Sequence, residues 1–167
     1  MGLVPAGVIK AWPGWPTVVL LGALAAVVAV YWGALGYPLV FDDRPLLSEE
    51  ILTAYARSFF TFHLRWFAYA SFGWTHAMVG PDWWWYRAGN LAAHLAVMLA
   101  AYGLAWRFSV ALAGPALPAG ATVRLRMAAA LGAALFALHP VAVYAVAYVA
   151  QRSILFATLF GLLMLLA

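Results

Sequence analysis

Four long apolar runs, separated by short polar breaks, dominate the chain. Each is long enough, or nearly so, to cross a bilayer as a helix, which takes roughly 20 apolar residues. The pattern therefore predicts an all-α integral membrane protein with about four transmembrane helices. The runs occupy residues 17–37, 83–106, 127–150 and 153–167.

The third run is interrupted at His139-Pro140. Proline lacks a backbone N–H and clashes with the preceding helical turn, so a kink or break is expected there. About 18 Å of helix precedes the break, counted from residue 127, which is less than the ~30 Å hydrocarbon core. His139 is therefore predicted to lie within the membrane, in its outer half.

The segment between the first two runs, residues 38–82, contains every acidic residue of the chain. Its part from 51 to 79 is rich in aromatic residues but interspersed with histidine and arginine. This mixture predicts one or two helices lying in the membrane interface, with their aromatic face in the headgroup region. The alternative is that 58–79 crosses the membrane, which would invert the topology of everything after it. The acidic residues are Asp42, Asp43, Glu49, Glu50 and Asp82.

Composition supports the membrane interpretation, because the chain is 68% hydrophobic and only 8% charged. Cysteine is absent, which excludes disulfides, thiolate metal sites and a cysteine nucleophile. No glycine-rich phosphate loop, Ser-His-Asp set or zinc-ligand spacing is present. The net charge of +4 comes from scattered basic residues near the ends of apolar runs, as membrane topology requires, so we expect no nucleic-acid partner.

The basic residues also predict the orientation of the chain. Lys10 lies before the first run, and Arg107, Arg124 and Arg126 flank the 107–126 connector, which has no acidic residue. By the positive-inside rule, both segments are cytoplasmic. Residues 1–16 are thus expected to form a cytoplasmic tail, and the acidic first loop is expected to face outward.

Asp42 and Asp43 are the strongest candidates for chemistry. A carboxylate pair at the membrane edge of so apolar a chain is a functional-site hypothesis by default. Either residue would suit a general base that activates a hydroxyl, and the pair would suit a divalent cation. The alternative is a solvated turn that caps a membrane helix.

Other polar residues fall inside or beside the apolar runs. Arg87, Asn90 and His94 are spaced three and four apart, so they share one helical face. They would serve as supporting polar groups or as hydrogen-bonding contacts between helices. Arg152 would suit a phosphate ligand, or its side chain would simply reach the headgroups. His139 would be a ligand or would stabilise the proline break, and paired membrane histidines also fit a haem or pigment.

The order of these motifs resembles the N-terminal membrane domain of the GT-C type membrane glycosyltransferases. The resemblance is carried by Phe41-Asp42-Asp43, Arg65, Arg87-x-x-Asn90-x-x-x-His94, Leu138-His139-Pro140-Val141 and Ala147-Tyr148-Val149-x-Gln151-Arg152. It covers roughly residues 35–167 and is most similar to the tetratricopeptide-repeat-linked protein O-mannosyltransferases and their bacterial relatives. Family members often carry an acidic or polar residue shortly after the His-Pro, where this chain has Ala142, Val143 and Tyr144.

The resemblance implies a polyprenyl-phosphate sugar as donor and a protein hydroxyl as acceptor, at a site outside a bacterial inner membrane. Asp42 and Asp43 would be the catalytic and tentative metal residues, and Arg152 with Arg65 would bind the donor phosphate. The relatives continue through further membrane helices, so the domain, residues 17–167, would be incomplete at its C-terminus. The alternative is a non-catalytic small subunit of a larger membrane complex, built on a truncated copy of this fold, in which the histidines would ligate a haem or pigment.

Overall fold

The computed structural model describes residues 14–57, 65–115, 117–118 and 120–167, and this part of the chain is helical without β-strands. Its α-helices are α1 (Trp15–Trp32), α2 (Asp43–Leu46), α3 (Glu49–Arg57), α4 (Trp66–Val79), α5 (Trp83–Ala113), α6 (Ala121–Ala137), α7 (Ala142–Ala147) and α8 (Arg152–Leu166). A 3-10 turn extends α1 through Gly33–Gly36, and another, Val149–Gln151, precedes α8. Lys10 and the rest of the predicted tail up to residue 13 lie outside the described residues.

Helix α5 is the central element of the bundle. It packs along both α6 and α8, and α1 packs mainly against α6 and also contacts α5. The core between α1, α5 and α6 is built from small and medium side chains, so the helices approach closely. It includes Val27, Tyr31, Leu91, Met98, Ala133 and Ala137.

Side-chain contacts fix the direction of each long helix. Tyr31 of α1 reaches Ala137 of α6, and Trp32 contacts Trp84 at the start of α5. Arg126, near the start of α6, meets Tyr102 in the second half of α5. The C-terminal ends of α1 and α6 therefore lie at the same end of the bundle as the N-terminal end of α5.

Helix α8 runs parallel to α5. Arg152 at its start hydrogen-bonds to Tyr86 and Asn90, whereas Leu166 near its end lies beside Gly103. The acidic loop and the His139–Arg152 segment thus converge at one end, which we call the site end. Arg107, Arg124 and Arg126 lie at the opposite end of the bundle, and the predicted location of the two ends on opposite sides of a membrane stays a prediction.

Three helical segments are long and apolar enough to cross a membrane: Trp15–Gly36, Trp83–Ala113 and Val149–Leu166. This supports an integral membrane protein but not the predicted number of four crossings. Helix α6 has 17 residues and ends at the His-Pro break, so the third predicted run is divided between α6 and the short α7. The predicted break at Pro140 is confirmed.

The predicted ends of two helices were wrong. Helix α5 continues past the predicted end at residue 106 to Ala113, because the first breaker is Gly114 at φ 72°, a left-handed conformation that favours glycine. Helix α6 already begins at Ala121, so Arg124 and Arg126 lie on its first turns and not in a connector. Their basic side chains could not reveal this, since arginine is compatible with both helix and loop.

The acidic loop contains two helices, α3 and α4, packed against each other. Gly73 permits their close approach, because a Cβ there would lie 2.6 Å from the Leu52 carbonyl oxygen. Helix α4 also packs along α8, with the Phe67 ring 4.9 Å from that of Phe156. Since both ends of this loop lie at the site end, the alternative crossing by residues 58–79 is not supported, although 58–64 fall outside the described residues.

Candidate functional site

The two adjacent carboxylates occupy opposite environments. Asp42 is exposed, whereas Asp43 is completely buried. Asp43 begins the four-residue helix α2, so its side chain turns inward while the preceding residue stays at the surface. The pair therefore cannot act as two equivalent groups.

Asp43 joins the first loop to the start of α8. Its carboxylate oxygens accept hydrogen bonds from the N–H groups of Val149, at 3.2 Å, and Ala150, at 2.8 Å. These N–H groups lie in the turn just before α8, where backbone donors lack helical partners and attract a negative charge. Burial raises the pKa of the Asp43 carboxyl, and the two N–H groups and Arg87 oppose part of that rise.

Asp42 lines a cavity of about 670 Å³ at the site end. Its backbone N–H donates to the Tyr148 hydroxyl at 3.2 Å. The preceding residue, Phe41, has φ 45° and an 87% exposed side chain. A non-glycine residue in this region stores strain, which is a feature of functional turns. The cavity is lined by Tyr37, Pro38, Val40, Phe41, Asp42, Arg87, Val143, Tyr144, Ala147 and Tyr148.

Arg87 holds two chain segments beside that cavity. Its guanidinium donates to the carbonyls of Tyr37 and Pro38, the latter at 2.8 Å, and through Nε to Ala147, also at 2.8 Å. A further bond of 3.4 Å reaches the Leu35 carbonyl. Because Arg87 is almost fully buried, these bonds fix the end of α1 against the end of α7.

Asn90 and Arg152 form a second buried junction. Arg152 Nε donates to Asn90 Oδ1 at 2.8 Å, and the Asn90 amide donates to the carbonyls of Tyr148 and Ala145, both at 3.3 Å. The other guanidinium nitrogens of Arg152 bind the Ser71 hydroxyl and the Tyr86 carbonyl, and the group lies 4.2 Å from the centre of the Phe72 ring.

Both arginines thus direct their hydrogen bonds to neutral protein groups. Arg152 does not line the Asp42 cavity. Its predicted role as a phosphate ligand stays a prediction, and the geometry gives it a joining role between α4, α5 and α8.

His94 and His139 both line a smaller, mostly apolar cavity of about 340 Å³ between α5, α7 and α8. His94 Nε2 lies 3.0 Å from the Ala137 carbonyl, so it donates there. His139 Nδ1 accepts the Val141 N–H at 3.3 Å, which stabilises the turn after the proline break. The two rings therefore share a wall, but each already has a backbone partner, and haem or pigment ligation stays an untested alternative.

Arg65 is not brought to this site. It is exposed at φ 68°, before α4, and lines a separate cavity of about 370 Å³ with Phe67 and Ser153. It touches neither the Asp42 cavity nor the apolar one. Its predicted phosphate-binding role also stays a prediction.

A divalent cation held jointly by Asp42 and Asp43 would have to share the Asp43 oxygens with the backbone N–H groups of Val149 and Ala150. Within the described ranges, no group of three or more His, Asp or Glu residues is arranged to hold a metal. The metal role of the pair stays a prediction.

Sequence reasoning missed two partners of the site. Tyr148 belongs to the motif at residues 147–152, but the motif does not indicate that its hydroxyl contacts the Asp42 backbone, more than 100 residues away in the chain. Ser71 is a lone hydroxyl in an aromatic helix, and nothing in its spacing predicts a contact with Arg152. Both contacts are tertiary, and no local pattern signals them.

Comparisons with protein-family models, with curated proteins and with solved structures found no match for this chain.

Proposed function

We propose that this chain forms the donor-binding and catalytic part of a GT-C-like membrane glycosyltransferase. The donor would be a polyprenyl-phosphate sugar and the acceptor a hydroxyl, such as that of a protein serine or threonine. The substrate has a polar head on a long apolar chain, so it needs a site with two matching compartments.

The observation that carries the proposal is a pair of adjoining cavities. The larger contains Asp42 at the site end, and the smaller is apolar and lies between α5, α7 and α8. Tyr144 lines both, so helix α7 forms their common wall. The His139-Pro140 break creates this wall by ending α6 early. A polar sugar phosphate would suit the first cavity and the start of a hydrocarbon chain the second.

Asp42 is the residue proposed as general base. It would accept the proton of the acceptor hydroxyl while the hydroxyl oxygen bonds to C1 of the sugar. The bond between C1 and the phosphate oxygen breaks, and polyprenyl phosphate leaves with the bonding electrons. Asp43 and Arg87 would position this carboxylate, because they fix the loop on either side of it to the 147–150 segment.

We also propose how many helices cross the membrane and which end of the bundle faces outward. Helix α6 spans about 26 Å at 1.5 Å per residue and packs along α5, so it would be a fourth crossing. The site end would face outward from a bacterial inner membrane, because all five acidic residues lie in the loop at that end, whereas Arg107, Arg124 and Arg126 lie at the other end without an acidic residue.

Removal of the Asp42 proton acceptor is the direct test. Asp42→Asn should lower transfer of labelled mannose from polyprenyl-phosphate mannose to a Ser/Thr peptide at least ~10²-fold, because the amide cannot take the proton. The assay uses this chain and any longer protein that contains it. Thermal unfolding of the variant should match that of the wild type, since Asp42 is exposed.

Glu49→Gln serves as the matched control, because it removes another exposed carboxylate of the same loop. It should leave transfer unchanged. Full activity in Asp42→Asn would end the catalytic claim. An inactive wild type that co-purifies stoichiometrically with other membrane chains would favour the subunit interpretation.

Orientation is tested by labelling single cysteines at Ser48 and Thr122, which are both exposed and lie at opposite ends of the bundle. A membrane-impermeant thiol reagent added to intact cells should label only the Ser48→Cys variant. Labelling of Thr122→Cys alone would invert the proposed orientation, and equal labelling would contradict the bundle arrangement itself.

A further inference from the structure

A fourth cavity, of about 270 Å³, lies between the end of α1 and the start of α5. It shares Tyr37, Pro38 and Arg87 with the Asp42 cavity and lies on the other side of this segment. Its remaining wall includes Trp83, Trp84 and Asp82. None of the roles described above uses these three side chains.

Several polar groups of this wall can form hydrogen bonds that no described residue supplies. Asp82 caps α5 through one carboxylate oxygen, which accepts the Trp84 N–H at 3.1 Å, so the second oxygen is available as an acceptor. Among the described residues, the indole N–H groups of Trp83 and Trp84 and the Tyr37 hydroxyl form no hydrogen bond. The cavity thus combines spare donors with a spare charged acceptor.

The indoles are held in place by other rings. Trp84 packs edge-on against Trp32, with ring centres 5.7 Å apart, and against Trp85 at 4.8 Å. Trp83 packs against the buried Tyr86 at 5.2 Å. A rigid aromatic surface loses little conformational entropy on binding, which favours affinity for a small ligand.

We infer that this cavity binds a pyranose ring of a glycan or of a glycolipid head group. Ring hydroxyls both donate and accept hydrogen bonds, matching the mixed set of free groups, and C–H faces of the sugar pack on the electron-rich faces of indoles. The volume lies just below the roughly 300–1,000 Å³ of pockets for drug-sized ligands, so one ring fits rather than a longer oligomer.

An ammonium head group is the main competing occupant, because aromatic rings with a carboxylate also bind cations. Arg87 forms part of this wall, however, and its positive charge disfavours a second cation. A neutral, hydroxyl-rich ligand can donate to the Asp82 carboxylate without bringing a second positive charge beside Arg87. Binding here requires no catalysis, so the inference does not depend on the proposed transfer reaction.

The test is saturation-transfer NMR on the full chain in phosphatidylglycerol nanodiscs, prepared without sugar detergents. Methyl α-mannopyranoside represents a free glycan and dodecyl maltoside a lipid-linked head group. We expect a signal from the ring protons of at least one probe. A signal from dodecyl maltoside alone would assign the site to glycolipids, whereas equal affinity for both would assign it to the sugar ring itself.

Two variants locate the binding. Asp82→Asn keeps an N-cap for α5 but removes the charged acceptor, and Trp84→Phe removes the indole N–H. Each should weaken binding about tenfold, as expected for loss of a charge-assisted or well-placed hydrogen bond. Trp85→Phe is the matched control, because Trp85 is an exposed neighbour that does not line the cavity. It should bind as the wild type does.

The result is read from Asp82→Asn, Trp84→Phe and Trp85→Phe alone, and none of these residues has a role in the proposed transfer, so failure of this inference is separate from failure of the proposed catalysis. The inference is overturned if neither probe gives a signal, or if Asp82→Asn and Trp84→Phe both bind as tightly as Trp85→Phe. Displacement of the sugar by choline at comparable concentration would assign the cavity to an ammonium head group instead.

Discussion

Arginines at the two ends of the bundle behave in opposite ways. At the site end, Arg87 and Arg152 are buried and donate to backbone carbonyls and neutral side chains. At the other end, Arg107 and Arg124 are exposed, and Arg126 lies against the Trp106 ring and the Tyr102 hydroxyl. The first pair holds loops and helices together through directed hydrogen bonds, whereas the second group lies at the surface or against an aromatic ring.

The difference shows what a buried arginine can do that apolar packing cannot. Apolar helix faces tolerate small sliding movements, because dispersion contacts have little directional preference. A guanidinium with several directed bonds permits one arrangement of its partners. At the site end, these directed hydrogen bonds hold the Asp42 loop against the 145–149 segment. Packing of alanine and leucine side chains alone would not fix that position.

The largest expected effect comes from Arg87→Met. It leaves the carbonyls of Leu35, Tyr37, Pro38 and Ala147 without their donor, at about 1–3 kcal/mol for each buried unsatisfied group. We expect a total loss of about 3 kcal/mol or more, or a Tm lower by roughly 6–12 °C. Circular dichroism during heating in detergent measures it.

Arg124→Met at the opposite end is the matched control, since it makes the same chemical change at an exposed position. Its Tm should shift by no more than about 2 °C, in line with surface substitutions. Equal losses in the two variants would remove the distinction between the ends.

A smaller effect is expected from Gly89→Ala. The added Cβ would lie 2.8 Å from Arg152 Nη2, so the guanidinium must move off its bonds, at roughly 1–3 kcal/mol. Gly103→Ala, on the same helix towards the other end, places its Cβ 3.7 Å from Leu166 in ordinary contact. That change should be neutral or stabilising by up to about 1 kcal/mol, because alanine is the better helix former.

The Gly89 effect should disappear when the arginine is removed. In an Arg152→Met background, Gly89→Ala should cost markedly less, and the non-additivity in a double-mutant cycle measures the contact. A fully additive cycle would show that the guanidinium is not the group that fills this space.

The smallest expected effect is the difference in stability between the Asn variants of the two adjacent carboxylates. Asp43→Asn should destabilise the fold by about 1–2 kcal/mol, because one of the two acceptor oxygens becomes an NH2 group, which cannot accept the N–H of Val149 or Ala150. Asp42→Asn should change stability by less than about 0.5 kcal/mol, as expected for an exposed residue. Denaturation in matched detergent conditions compares them.

The same carboxyl gives a pH dependence of defined sign. Burial raises the folded-state pKa of Asp43, so the folded chain binds this proton more tightly than the unfolded chain does. Its contribution to stability is complete below the unfolded pKa of about 3.9 and is lost as the pH rises through the higher folded value. Asp43→Asn should abolish this slope, and an unchanged slope would assign the titration to other groups.

Several features of this protein follow from the sequence by itself. The uninterrupted apolar runs require helices in a bilayer, because backbone groups there must be satisfied within each segment. The proline at 140 ends α6, since its ring excludes a continuous helix. The 3.6-residue period places Arg87, Asn90 and His94 on one face, and all three are buried together.

Only the tertiary structure determines which groups the residues of that helix face bind, and which of the two adjacent carboxylates is buried. Asp42 and Asp43 are identical and adjacent, yet only the turn at 148–150 makes one buried and leaves the other exposed. In the sequence, Arg152 resembles an arginine that binds lipid headgroups. In the folded chain, Ser71, Tyr86 and Asn90 from other helices surround its guanidinium group. Burial and hydrogen bonding depend on partners more than 60 residues away, and no local pattern encodes these distances.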